Sequence, residues 1–327
     1  MGRTATIKII RKSIHTFLKN YSYFTNVSLL ALPFSASILL SSFLSPDSIS
    51  LQNKIHSRLR SLFDAIGFPV SQHFFAIFNL KLSQTITSSI LLLPFTFSFL
   101  LITKSFIIQS LNTKNKKPPS FIGIFNSILQ TQLWNSFLII SANATSFWML
   151  FIAYNCLENL NISSSTAIIL FFIMGGIVYS VVIANSMIIC NMALVLSGME
   201  SEGGFISILK ACAMIKRRTS TALSLAIYTN VALAGIEALF QYRVASTYAN
   251  SRTSTPSIYM VLEGLLIAYL YSIIITLDTI NGCIFYETCK FATSKFDFDQ
   301  EEDHRTYKKK EYVKYIAPNG DKHSCVE

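Results

Sequence analysis

The chain has 327 residues, of which 51% are hydrophobic and only 13% charged, where an ordinary globular domain is about 25% charged. The charges cluster, and between clusters lie uncharged stretches that match the roughly 20 helical residues needed to cross a hydrocarbon core. This excludes a soluble domain with charges scattered over every surface helix. The net charge of +10 speaks for orientation and attraction to anionic headgroups, not nucleic acid, because the basic residues flank apolar spans.

In chain order, residues 1–22 carry Arg3, Lys8, Arg11, Lys12 and Lys19 and no acid. Ile7, Ile10, Ile14, Phe17 and Tyr21 recur at helical steps, which predicts a basic amphipathic helix at the cytosolic face. A first span follows over 23–44 and reads as a retained signal anchor. Within 45–81, Leu51, Ile55, Leu59, Leu62 and Ile66 have helical spacing with Lys54, Arg58 and Arg60 between them, predicting a helix in the interface. The second span, 82–103, lies between Lys81 and Lys104. Lys114, Lys116, Lys117 and the pair Pro118–Pro119 then break the pattern.

Residues 119–132 are weakly amphipathic, with Phe121, Ile124, Phe125 and Ile128 on one side. Spans three and four are expected at 133–153 and 166–196, the latter longer than a bilayer needs. Between them, Asn161-Ile162-Ser163 is a glycosylation sequon, while the sequons at Asn26 and Asn143 fall inside spans and should be inert. Gly203-Gly204 marks a turn before a short amphipathic helix that ends at Lys216, Arg217 and Arg218. Spans five and six are expected at 219–240 and 257–281, completing a membrane domain over 23–289. The remainder, 290–327, is polar and mixed in charge and is expected to be a disordered cytosolic tail.

The expectation is therefore an all-α polytopic bundle of six transmembrane helices with interfacial amphipathic helices. With both termini cytosolic, the cytosolic segments hold 21 of the 27 Lys and Arg residues, which satisfies the positive-inside rule. The membrane would be the endoplasmic reticulum, another endomembrane, or the plasma membrane. The pattern predicts a unit of amphipathic helix, span outward and span back three times, at about 4–103, 119–196 and 203–281. The openings Ser120-Phe121-Ile122-Gly123-Ile124-Phe125 and Gly204-Phe205-Ile206-Ser207-Ile208-Leu209 share a pattern.

Carboxylates inside spans are the sharpest functional candidates, since a buried charge costs roughly 2.5–3.5 kcal/mol on insertion scales. Glu237 and Glu263 lie near the outer ends of spans five and six, with Arg243 six residues after Glu237, and these three are placed to cluster. Asp278 lies about 22 Å of helix away from Glu263, toward the inner face. These four residues form a candidate polar or transport site. No metal spacing links the five histidines, and no phosphate-loop, nucleophile-elbow or zinc-protease motif occurs, so neither a catalytic residue nor a cofactor is assigned. Of the six cysteines, Cys283 and Cys289 read as small buried apolar residues in preference to acylation sites.

The stretch Leu194-Val195-Leu196-Ser197-Gly198-Met199-Glu200, followed by Gly203-Gly204-Phe205-Ile206-Ser207-Ile208-Leu209-Lys210-Ala211 and Arg218-Thr219, resembles a family of plant multi-pass membrane proteins of unknown function. Some of its members are labelled as binders of a polyadenylate-binding protein. It also resembles the membrane domain of YciC-like proteins and of bacterial glycerophosphodiester phosphodiesterases. The resemblance covers 194–243 and implies a membrane domain without catalytic residues. The functional expectation is a non-enzymatic structural, adaptor or lipid-organising component that meets the bilayer and its anionic headgroups. The alternative is a small transporter or channel, and the tail from Lys290 is a candidate docking segment for a cytosolic partner.

Overall fold

A computed structural model describes residues 2–41, 50–66, 73–112, 120–159, 165–247 and 258–316. The described residues are almost wholly helical and contain no strand. In order they form α1 (Gly2–Lys19), α2 (Tyr21–Ser41), α3 (Ser50–Ile66), α4 (His73–Phe95), α5 (Leu101–Asn112), α6 (Phe121–Asn159), α7 (Ser165–Glu200), α8 (Phe205–Arg217), α9 (Thr219–Phe240) and α10 (Ile258–Ile316). The chain divides into two compact units, Met1–Ile284 and Phe285–Glu327.

Five helical stretches among the described residues are long and apolar enough to cross a membrane: Tyr21–Ser41, Asn79–Asn112, Ile173–Glu200, Thr219–Ala245 and Ile258–Phe291. They coincide with the expected spans one, two, four, five and six. The expected third span, 133–153, falls inside α6 and is not among the five. Asn135, Ser136, Ser141, Asn143, Thr145 and Ser146 dilute its apolar character. Asn161 and its sequon lie outside the described residues.

The second span is longer than its charge pattern predicts. A wide π-type turn over Thr96–Leu100 joins α4 to α5 without breaking the helix. Pro94 lies just before this turn, and α4 stays α-helical through the proline. The helix then runs through Lys104 to Asn112, so Lys104 sits inside the span and does not mark its end. A second π-type turn, Gln241–Ala245, continues α9 and carries Arg243.

Helix α1 packs against α9 and buries Thr6, Ile9, Ser13 and Phe17, the last stacked on Phe24 of α2. Of the expected apolar stripe, Ile7, Ile14 and, at the start of α2, Tyr21 stay exposed with Leu18, while Ile10 is half-buried. The exposed part is suited to the headgroup–acyl boundary. Helix α6 passes without interruption through 121–132, where a separate amphipathic helix is predicted. Its residues Ile124, Ser127, Ile128, Thr131 and Asn135 form one buried face, packed on α7 and α8. Phe63 of α3 is buried and meets Phe147 of α6 with ring centroids 5.9 Å apart.

The turn before α8 forms as expected. Gly204 has φ of 88°, a conformation that favours glycine. Its N–H donates to Thr131 Oγ1 at 2.9 Å, and Ser127 Oγ donates to the carbonyl of Ser201 at 3.1 Å. The turn is thereby docked on α6. Cys283 and Cys289 are buried, as their composition suggests.

The expected disordered tail meets a helix that continues to Ile316. From Cys283 to Ile316 the sequence holds neither Gly nor Pro and is rich in Glu and Lys, good helix formers. Nothing therefore stops propagation before Pro318.

Candidate functional site

The helices of the first unit bring polar side chains together at two levels. The first is a polar centre within the bundle, inside four of the candidate spans. Lys104 of α5 is 6% exposed, and its Nζ donates to Asn191 Oδ1 of α7 at 3.5 Å. Asp278 of α10 acts electrostatically on Lys104, and its carboxyl lies beside Thr229 of α9, whose hydroxyl donates to the carbonyl of Leu225 at 3.3 Å. Four helices thus contribute one polar group each. In hydrocarbon an unpaired charge is expensive, whereas a lysine and an aspartate neutralise each other and an amide accepts a bond from the lysine. The centre can hold four helices in one register.

Nearby on α6, Asn135 donates its Nδ2 to the carbonyl of Cys190 at 3.0 Å, a side-chain bond to backbone between two packed helices. Ser28 of α2 and Thr276 of α10 share a hydrogen bond of 2.9 Å between fully buried hydroxyls. Such pairs allow close helix approach in membranes.

The second level is at the opposite end of α9 and α10. Arg243 Nε donates to Glu263 Oε1 at 2.6 Å. The pair stands over a groove of about 330 Å³ whose walls come from α2, α9, its π-type turn and α10, including Leu39, Leu40, Phe240, Val244, Gly264 and Ala268. Beneath it lies an apolar cluster of Phe34, Leu39, Phe240, Ile267, Ala268, Tyr271 and Ile275.

The sequence candidates therefore separate into two places. Arg243 and Glu263 come together as expected, and Asp278 lies apart from them as expected. Glu237 does not join the Arg243–Glu263 pair; it is half-buried and acts electrostatically on the Tyr271 hydroxyl. The spacing explains this, since Glu237 and Arg243 are six residues apart with a π-type turn beginning between them, and the two side chains leave the helix in different directions. Sequence reasoning missed Lys104 and placed Asn191 nowhere. A signal for both exists: Lys104, Asn191 and Asp278 follow one another at a constant interval of 87 residues.

Outside the spans, Lys210 of α8 bridges Glu200 at 3.0 Å and also Glu202. The hydrogen bonds to Glu202 and then Glu200 raise the Lys210 pKa above its ordinary value. Among the described residues no three His, Cys, Asp or Glu side chains converge as a metal site.

A family model, Domain of unknown function (DUF8558), matches residues 2–319. The chain belongs to this family. The DUF8558 match gives no support to the plant family, the YciC-like proteins or the phosphodiesterase membrane domain that residues 194–243 resemble. Comparison with curated proteins and with solved structures returned no match.

Proposed function

We propose that this DUF8558 protein is a non-enzymatic, lipid-organising component of its membrane, and not a transporter. The observation that supports this reading is the partnering of its intramembrane charges. Glu263 holds Arg243, Asp278 lies beside Thr229 and acts on Lys104, and Glu237 acts on Tyr271. The groove beside Arg243 and Glu263 has apolar walls. A conduction path for ions or polar solutes needs charges that line a water-filled cavity.

The chain crosses the membrane six times in this reading, with α6 supplying the third crossing and both termini cytosolic. The lysines and arginines of α1 and α8 then face anionic headgroups, while exposed Ile7, Ile14, Phe205, Ile206 and Leu209 dip into the acyl boundary. The 87-residue interval supports three repeated units whose returning spans contribute Lys104, Asn191 and Asp278 to the polar centre. The tail of α10 is available to a cytosolic protein partner.

Reconstitution tests the reading. Proteoliposomes loaded with a pH-sensitive or a potassium-sensitive dye are expected to leak no faster than protein-free vesicles, with wild type and Asp278→Asn alike. A wild-type flux well above that background, abolished by Asp278→Asn, overturns the proposal in favour of a transport site at Lys104 and Asp278.

A further inference from the structure

We infer that the groove between α2, α9 and α10 is a phospholipid site that takes one acyl chain and selects a zwitterionic, amine-bearing headgroup. The inference rests on the lipid-organising reading and names its ligand class. The groove's volume, about 330 Å³, is at the lower end of the range for small-molecule pockets, roughly 300–1,000 Å³. Along α10 its wall extends from Met260 to Ala268, about 12 Å of helix at about 1.5 Å per residue. The part from Glu263 to Ala268, about 7.5 Å at that rise, is about half of one leaflet of a hydrocarbon core about 30 Å thick. An acyl chain laid against Leu39, Phe240 and Ala268 therefore brings its headgroup to the level of Arg243 and Glu263.

The headgroup preference follows from the free hydrogen-bonding edges of that pair. The bond from Arg243 Nε to Glu263 Oε1 uses one of five guanidinium N–H donors and one carboxylate oxygen. Neither residue has a further side-chain partner among the described residues. With side chains 57% and 35% exposed, Arg243 can offer its terminal nitrogens to a phosphate and Glu263 its Oε2 to an ammonium without breaking any side-chain bond made among the described residues. A phosphate and an ammonium on one headgroup complement this neutral pair, with both bonds charge-assisted. An anionic headgroup satisfies Arg243 and meets Glu263 as a like charge. The π-type turn is what sets Arg243 beside Glu263 while Val244 lines the groove.

Glycine keeps the groove open. A Cβ built on Gly264 lies 3.7 Å from Phe240 Cε2 and 3.8 Å from Val244 Cγ2, ordinary van der Waals distances. A larger side chain at 264 can enter without a clash at its Cβ and fill the space.

The test uses the full chain in vesicles of equimolar phosphatidylethanolamine and phosphatidylglycerol. A photoreactive side chain is placed at Leu40 in the groove wall or, as a control, at Val178 on the exposed face of α7. Lipid adducts are read by mass spectrometry. At Leu40 the phosphatidylethanolamine adduct is expected to exceed the phosphatidylglycerol adduct severalfold, with near parity at Val178. Glu263→Gln should bring the Leu40 ratio to parity or below it, because the ammonium then loses its carboxylate and an anionic headgroup no longer meets a like charge. Gly264→Leu and, independently, Ala268→Leu should remove most of the Leu40 adduct while the Val178 adduct persists, which also reports that the variants remain folded. Equal ratios at Leu40 and Val178 overturn the inference and leave the lipid-organising reading standing. A cross-link from Leu40 to a second copy of the chain overturns it as well, by identifying another occupant. Failure of the broader reading is read separately, as dye flux.

Discussion

Two glycines and two lysines have consequences at the scale of single residues. A Cβ at Gly203 meets the Ser127 carbonyl oxygen at 2.8 Å and Ser127 Cα at 2.9 Å, both backbone atoms of α6. Gly203→Ala is therefore expected to destabilise by about 1–3 kcal/mol, visible as a lowered thermal midpoint in detergent. Gly235→Ala, where nothing lies within 4 Å, should leave the midpoint unchanged or raise it. Lys104→Met removes the charge that acts on Asp278 and the bond to Asn191, and should lower the thermal midpoint in detergent. The double variant with Asp278→Leu should recover much of that loss, because neither charge then remains in hydrocarbon; thermal scans of the four species give the coupling directly. Lys210 makes a different kind of prediction. Its pKa is raised by Glu202 and Glu200, so its contribution to stability is fully present below the unfolded lysine value, about 10.4. It is lost as the pH rises through the higher folded value. The difference in midpoint between wild type and Lys210→Met should stay constant from neutral pH to about 10 and shrink above it.

Among whole elements, α1 and α10 depart most from their sequence patterns. In α1 the periodic isoleucines identified a real apolar stripe, but its lipid side and its protein side are adjacent. Replacing Ile7, Ile14 and Leu18 together by serine should leave the Thr6–Ser13 face on α9 intact while weakening interfacial anchoring. Hydrogen exchange of α1 is expected to rise in bilayers and to change little in detergent micelles that cannot distinguish the two faces. In α10 the balance between disorder and helix rests on propensity. The residues after Lys290 lack aliphatic side chains to bury, which reads as disorder, yet no residue before Ile316 opposes helix formation. Deleting 290–327 should lower the ellipticity at 222 nm by more than the proportion expected of an unstructured tail.

For the molecule as a whole, the membrane character rests on two independent observations, the five stretches long and apolar enough to span and the many large apolar side chains left exposed on α6, α7, α9 and α10. A soluble monomer does not expose apolar surface on that scale. The proposed arrangement of six crossings places both termini on the cytosolic side. Tags at the N- and C-terminus should be equally accessible to protease in sealed right-side-in vesicles; accessibility of only one of them implies five crossings and an α6 that does not span.

Sequence alone determined the helical class, five stretches long and apolar enough to cross a membrane, the glycine turn before α8 and the approach of Arg243 to Glu263. These are local properties: hydropathy over about 20 residues, a backbone conformation that only glycine takes easily, and two charges at the same depth on consecutive spans. Tertiary structure decided the rest. Lys104 looked like the charged end of a span because hydropathy treats any lysine as a boundary. Only the packing of α5 against α7, with α9 and α10 supplying Thr229 and Asp278, shows that it is buried with partners. Which face of α1 meets protein depends on α9, more than 200 residues away in sequence, and no periodicity within α1 can carry that information. The apolar groove beneath Arg243 and Glu263 likewise exists only where three helices fail to close around Gly264.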